Sequence, residues 1–199
     1  YVAAQGLPAL NLAFLTHMPK PVGEPGGGMS NAIVGPIILI GLACLLGLPV
    51  GLLGGIYLAE FGHNRLGAAI RFAADVLSGV PSIVIGIFVY ALVVIPMQRF
   101  SAFAGAAALG VMMIPTVMRT SEELIRLVPS SLREGALALG ATHPRTVFKV
   151  VLLAARAGVI TGVLLAIARI AGETAPLLFT AFGSTLWSTR LDQPIASLP

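Results

Sequence analysis

The sequence predicts an all-α polytopic membrane protein, and three observations carry that prediction. Hydrophobic residues make up 57% of the chain and charged residues only 10%. Mean hydropathy is +0.96. Several uncharged runs reach or exceed the roughly 20 residues that a helix needs to cross a bilayer. A soluble domain requires a polar surface that this composition does not supply. The formal net charge of +4 and the pI near 9.8 come mostly from loop arginines, which orient a membrane protein rather than bind nucleic acid. Cys44 is the single cysteine and lies in an apolar run, so no internal disulfide forms and it reads as a small buried hydrophobe. His17, His63 and His143 are too scattered for a metal site. No Ser/His/Asp or Cys/His arrangement suggests a catalytic nucleophile. Gly26-Gly27-Gly28 lacks the strand, Lys and Ser/Thr of a phosphate loop, so no cofactor is expected in this chain.

Residues 1–30 carry Pro8, Pro19, Pro21 and Pro25 and read as an irregular extramembrane segment. The chain opens on Tyr1 and stops at Pro199 in a manner that suggests an excerpt of a longer protein. Met29 to Ala59 is free of charge and forms the first span, with a kink expected at Pro49. Gly41, Gly47, Gly51, Gly54 and Gly55 leave small faces on it for close helix approach. Glu60 to Asp75, with Arg65 and Arg71, reads as a short polar connection. Val76 to Met97 is the next span, interrupted by Pro81, and Gln98-Arg99 makes a tight turn. Phe100 to Met118 is the third span. The last apolar stretch, Val150 to Trp187, is too long for one span. Placing Arg156 at the interface sets the span at about 157–182, with Arg169 and Glu173 near mid-membrane. Starting it at Val150 puts Arg169 at the far interface instead, and the sequence leaves the choice open. Trp187 fits an interfacial aromatic anchor.

Basic residues collect between 60 and 75 and between 119 and 149, whereas 1–30 holds only Lys20. This places the 119–149 loop in the cytoplasm, and residues 1–30 and 191–199 outside. Within the loop, Ser121 to Leu127 reads as a helical extension of the third span. Ser131-Leu132-Arg133-Glu134 matches a capping box, in which Ser131 and Glu134 cap one another's amides. Gly140 suits a left-handed helix terminator, and Pro144 suits the first turn of a new helix. The resulting short helix is too short to persist alone in water. Its apolar face of Leu132, Ala136 and Leu139 needs a partner: the membrane surface, the bundle's own ends or another protein.

Glu134-Gly-Ala-x-x-x-Gly140, followed after nine residues by Val150-x-Leu152, resembles the cytoplasmic signature of ABC-importer permeases. The family pattern reads Glu-Ala-Ala, three residues, Gly, nine residues, Ile-x-Leu-Pro. Gly135 replaces the first Ala, and Leu153 stands where Pro is usual. Two further stretches, Pro115-Thr116-x-x-Arg119-Thr120-x-Glu122-x-x-x-Arg126-Leu-Val-Pro129 and Arg169-Ile-Ala-Gly-Glu173-Thr-Ala-Pro176-Leu-Leu178, are similar to the phosphate-specific permeases. The second stretch resembles the PstA-type subunit more than the PstC-type. The resemblance covers residues 31–190 and implies a MetI-like helical bundle of a type I importer, lacking its first and last spans here. It also implies that Ser131, Glu134, Gly135, Ala136, Gly140 and Pro144 belong to a coupling element for an ATPase. The implied partners are a PstC-type permease, two ATPase subunits that hold ATP and Mg, an extracytoplasmic phosphate-binding protein and the bilayer of the inner membrane.

Arg169 and Glu173 are four residues apart, hence on one face of a helix and able to pair. One reading is an ion pair that locks packing. The other gives Arg169 to a passing anion, because a guanidinium offers a planar fork of donors that stays charged. Arg119 is an interfacial anchor or a pathway residue, and Thr174 is a candidate hydroxyl partner. Pro176 is placed to break the helix after Glu173. Rival readings are a permease for molybdate, sulfate or phosphonate, an intramembrane enzyme using Glu173, and a scaffold for an ATPase. The enzyme reading lacks a second catalytic group, and the scaffold reading leaves the cost of a buried Arg169 unexplained.

Overall fold

A computed structural model describes residues 6, 11–21, 24, 26–184 and 190–197, and the anchor expected at Trp187 lies outside them. The described residues form helices and connections, without strands: α1 Leu12–Thr16, α2 Ser30–Glu60, α3 Arg65–Gly79, α4 Ser82–Val89, α5 Ile95–Met97, α6 Ala102–Arg126, α7 Ser130–Ala138, α8 His143–Thr146, α9 Leu152–Ala171 and α10 Ala175–Thr180. A π-helical turn, Tyr90–Val94, joins α4 to α5, and another, Val147–Val151, joins α8 to α9. Three continuous stretches are long and apolar enough to cross a membrane: Ser30–Glu60, Ala102–Arg126 and His143–Ala171. Arg65–Gly79 and Ser82–Met97 meet that standard only when taken together. The protein is therefore a multi-pass membrane protein.

Three expectations change. The connection drawn from Glu60 to Asp75 is largely helix α3. Asn64 is its N-cap, the side-chain oxygen accepting from the Gly67 amide at 2.8 Å. The run drawn from Val76 to Met97 is interrupted at Val80-Pro81 as expected, but its first residues belong to α3. Proline pushes the preceding residue out of the helical region, and Val80 is extended at φ −72° and ψ 131°. The last span, set at about 157–182, is not one helix: helix runs from His143 to Ala171, with Arg156 in its interior. It then stops at Gly172, and α10 restarts at Ala175 with Pro176 in its first turn, so the break expected near Pro176 is present. α2 passes Pro49 without a break.

The chain divides into two compact units. One comprises Tyr1–Leu42, Ser82–Leu109 and Glu173–Pro199. Its interior holds Leu39, Ile85, Val89, Leu177, Ala181 and Ile195, all buried. The start of α6 is built into this unit through backbone bonds. Ser101 N–H donates to Thr180 O, Ala102 N–H to Gln193 O and Phe103 N–H to Leu191 O, at 3.1 to 3.3 Å. The Ser101 hydroxyl accepts from the Ala104 amide, so the amides that a helix start leaves over are satisfied.

The second unit comprises Ala43–Pro81 and Gly110–Gly172. Here the small residues of α2 set its distance from α6. A Cβ on Gly51 would lie 2.8 Å from the Val117 Cβ, and one on Gly55 2.7 Å from the Met118 carbonyl oxygen. A Cβ on Gly162 of α9 would lie 2.5 Å from the Thr120 Cγ2 of α6. Without a hydrophobic drive between helices in lipid, such backbone proximity is what packs them.

Candidate functional site: a buried carboxylate under arginines and an exposed short helix

α6 carries its charged end into the second unit. Glu122 is 1% exposed, and its carboxylate is held by guanidiniums from both α3 and α6. Arg71 Nε lies 2.6 Å and Arg126 Nη2 2.9 Å from Oε1, and Arg119 Nη1 lies 3.0 Å from Oε2. Arg119 turns its Nε to Asp75 Oδ1, also at 3.0 Å. Arg119 is thus a member of an ion-pair network. Three cations face two carboxylates, leaving the group with a formal +1. A carboxylate this buried persists in its charged form only when paired.

The same arginines finish α2. Arg71 donates to Leu58 O at 2.8 Å and to Gly62 O at 2.9 Å, and Arg126 donates to Leu58 O at 3.3 Å. The last carbonyls of a helix have no partner of their own, and cations suit the negative end of its dipole. Sequence reasoning named Arg119 but missed Arg71, Asp75 and Glu122 as its company. The spacing of Arg119, Glu122 and Arg126 at i, i+3 and i+7 was the available signal for half of the network.

The short helix expected after the third span is α7. Its end follows the prediction closely. Gly140 has φ +84°, its amide donates to Leu137 O at 2.9 Å, and Ala141 N–H donates to Ala136 O at 3.1 Å, a Schellman closure. Its start does not. The helix begins at Ser130 with Pro129 as N-cap and no side-chain cap, so Ser131 is already helical and the capping box with Glu134 is absent. Pro129, at φ −56° and ψ 141°, brings the chain in one residue early, from where a Ser131 hydroxyl cannot reach forward to the Glu134 amide. Arg133 does the fixing instead. It donates to Glu60 Oε1 from Nη2 at 2.8 Å, to Ile125 O at 3.0 Å and to Val128 O. Glu60 is the last residue of α2, so one guanidinium ties α7 to the ends of both α2 and α6.

α7 has no buried residue. Leu132 and Leu139 are exposed, Leu139 to 90%, while Ala136 is half-buried. Glu134 is exposed, and nothing lies within 4 Å of where a Cβ on Gly135 would stand. The apolar face is thus unpartnered within the described residues. α8 opens with Pro144 in its first turn as expected, and His143 packs on Phe61 with ring centroids 5.3 Å apart.

Arg169 is exposed near the end of α9, its Nη1 3.5 Å from Thr116 Oγ1 of α6. Thr116 is one turn before Arg119, so two of the predicted site arginines border the same stretch of α6 within this unit. The helix ends at Ala171, which removes the premise that Arg169 and Glu173 share a helical face. Glu173 is half-buried in the first unit, between Gly172 and Thr174. Thr174 is the N-cap of α10 through its carbonyl, accepting from Leu177 N–H, and its hydroxyl makes no cap bond. Thr180 spends its hydroxyl on Pro176 O at 2.8 Å, the usual habit of threonine in an apolar helix.

Known proteins resemble the chain in both sequence and fold. Residues 51–198 match a family model described as binding-protein-dependent transport system inner membrane component. The chain is 49% identical over 196 residues to the phosphate transport system permease protein PstA of Yersinia pestis, covering 98% of the chain and 66% of that protein. It is 47% identical over 198 residues to the PstA protein of Xylella fastidiosa strain 9a5c, covering 98% of the chain and 69% of that relative. It is 39% identical to the probable PstA protein of Methanocaldococcus jannaschii, covering 100% of the chain and 70% of that relative. The chain thus spans about two thirds of the length of these relatives. Among solved structures, an inward-facing MetNI methionine ABC transporter aligns with a TM-score of 0.62 at 20% identity, covering 75% of this chain and 71% of that one.

Proposed function

The chain belongs to the family of binding-protein-dependent transport system inner membrane components, and from that premise we propose that it is the permease subunit of an ATP-driven importer of inorganic phosphate. The observation that carries the reading is identity of 45–49% across 98% of the chain to permeases named for phosphate transport. The chain then forms half of a translocation path, completed by a PstC-type permease. Two ATPase subunits bind and hydrolyse ATP with Mg, and an extracytoplasmic phosphate-binding protein delivers the anion. The permease itself catalyses no covalent step.

The docking element is α7, with residues 119–149 on the cytoplasmic side. Its exposed Leu132, Leu139 and Glu134 and the open space at Gly135 suit insertion into a partner's cleft. Arg133 makes α7 move as one body with the end of α2, so a displacement imposed by the ATPase reaches a membrane span directly. In the path itself, Arg169 offers phosphate a charged fork of donors, Arg119 adds positive potential from the neighbouring helix, and Glu173 and Thr174 flank the point where α9 gives way to α10. Contacts of this kind are weak and transient, because a tight site releases its ion slowly.

The test is uptake of labelled phosphate into vesicles that contain the full complex, with ATP inside and the binding protein outside. Arg169→Gln is expected to lower uptake tenfold or more while the complex still assembles, since a hydrogen bond from a charged group contributes roughly 1.5–3 kcal/mol. Normal uptake by that variant removes Arg169 from the path. Uptake of labelled molybdate or sulfate in preference to phosphate replaces the cargo.

A further inference from the structure

α2, α6 and α9 enclose a cleft of about 230 Å³ within the second unit. Leu52 and Ile56, Ile125, and Leu152 and Ile160 make its walls apolar, and Arg156 supplies its charge. Arg156 is exposed, and no described carboxylate or carbonyl holds its guanidinium. Among the arginines around α2 and α6 this is unusual, since Arg71, Arg119, Arg126 and Arg133 are each committed to carboxylates.

The depth of the cleft follows from its neighbours. Ile56 stands one turn before Glu60 on α2, and Ile125 immediately precedes Arg126 on α6. Both helices end there in ion pairs, and charges at that density mark the boundary between hydrocarbon and headgroups. Toward the beginning of the same continuous helix, Arg145 and Lys149 are exposed as well. A bilayer fills any apolar recess on a spanning helix with acyl chain. Arg156 adds a cation at headgroup level, with two more basic residues on the side of the polar layer. A lipid with net negative charge meets that field, whereas a zwitterionic one carries its own cation into it.

We propose that this cleft seats an anionic phospholipid, its acyl chain between α2, α6 and α9 and its phosphodiester on Arg156. The proposal requires only that these helices lie in a membrane, and it stands or falls separately from the identity of the cargo.

The experiment is native mass spectrometry of the purified complex after equilibration with equimolar phosphatidylglycerol and phosphatidylcholine. The wild type is expected to retain phosphatidylglycerol in preference. Arg156→Gln lowers the retained ratio about fivefold, the factor expected for one basic residue at an anionic surface. Arg156→Lys keeps the preference, and so does Arg65→Gln, which removes an exposed arginine outside the cleft. Ile160→Trp, which fills the recess and leaves Arg156 in place, lowers retention of both lipids. An unchanged ratio in Arg156→Gln overturns the proposal. So does displacement of the lipid by inorganic phosphate alone, which makes Arg156 a site for the free anion. Efficient crosslinking from Ile160→Cys to another protein subunit, without lipid retention, assigns the cleft to that subunit and equally overturns it.

Discussion

Glu122 shows how one residue can determine the state of several others. Its carboxylate is the common acceptor for Arg71, Arg119 and Arg126, which approach from two helices. Glu122→Gln keeps the shape but removes the charge, leaving the guanidiniums facing only Asp75 and helix-end carbonyls. Loss of one partner of a buried pair costs about 3–5 kcal/mol, and partial solvation of these arginines places the cost near the lower figure. Thermal unfolding of the solubilised complex is expected to drop clearly for Glu122→Gln and to stay unchanged for Glu123→Gln, whose side chain is exposed. Equal behaviour of the two variants means that the network contributes nothing to stability. At this scale the sequence was legible in part. Arg119 and Arg169 stood out because charge in or beside an apolar run is costly. Glu122 did not, because its importance comes from Arg71, far away in sequence, reaching it through the fold.

At the scale of the element, α7 depends on two different devices at its two ends. Gly140 closes it by a local backbone rule, which is why its end could be placed from sequence alone. Its beginning depends on Arg133 reaching Glu60 and two carbonyls, a set of distant partners that no local pattern announces. Ser131→Ala is therefore expected to leave transport and stability unchanged, whereas loss of a true N-cap costs about 1 kcal/mol. Arg133→Gln is expected to retain ATPase binding but to hydrolyse ATP with markedly less phosphate moved per ATP. Transport-coupled hydrolysis measured in the same vesicles checks both, and a defect in Ser131→Ala restores the capping box. Helix α3 illustrates the same limit, whereas the interruption at Pro81 could be read from the sequence. Arg65 and Arg71 looked like connector residues, whereas in the structure Asn64 caps a helix that carries both. The halt of α9 at Ala171 had a clearer omen in Pro176, although it comes several residues before that proline.

At the scale of the whole molecule, the bundle class was readable because composition and run length alone demand spanning helices. What they do not set is which faces meet. In the second unit, α2 and α6 approach through Gly51 and Gly55, where even a methyl group would press on Val117 or on the Met118 carbonyl. Gly55→Leu is expected to abolish recovery of folded complex from membranes, while Gly41→Leu, with open space around it, is tolerated. Size-exclusion profiles of the two variants decide this, and a monodisperse Gly55→Leu complex refutes close packing there. The start of α6 makes a different kind of junction. Its Ser101, Ala102 and Phe103 amides are received by the main-chain carbonyls of Thr180, Gln193 and Leu191. Main-chain groups are the same whatever side chain they carry. The side chains of Ser101, Ala102 and Thr180 are buried and constrained on their own account, but at Phe103, whose side chain is exposed, a saturation screen would score most substitutions as permissive. Only proline, which deletes the amide, would reveal that three remote stretches of chain are clasped at that point.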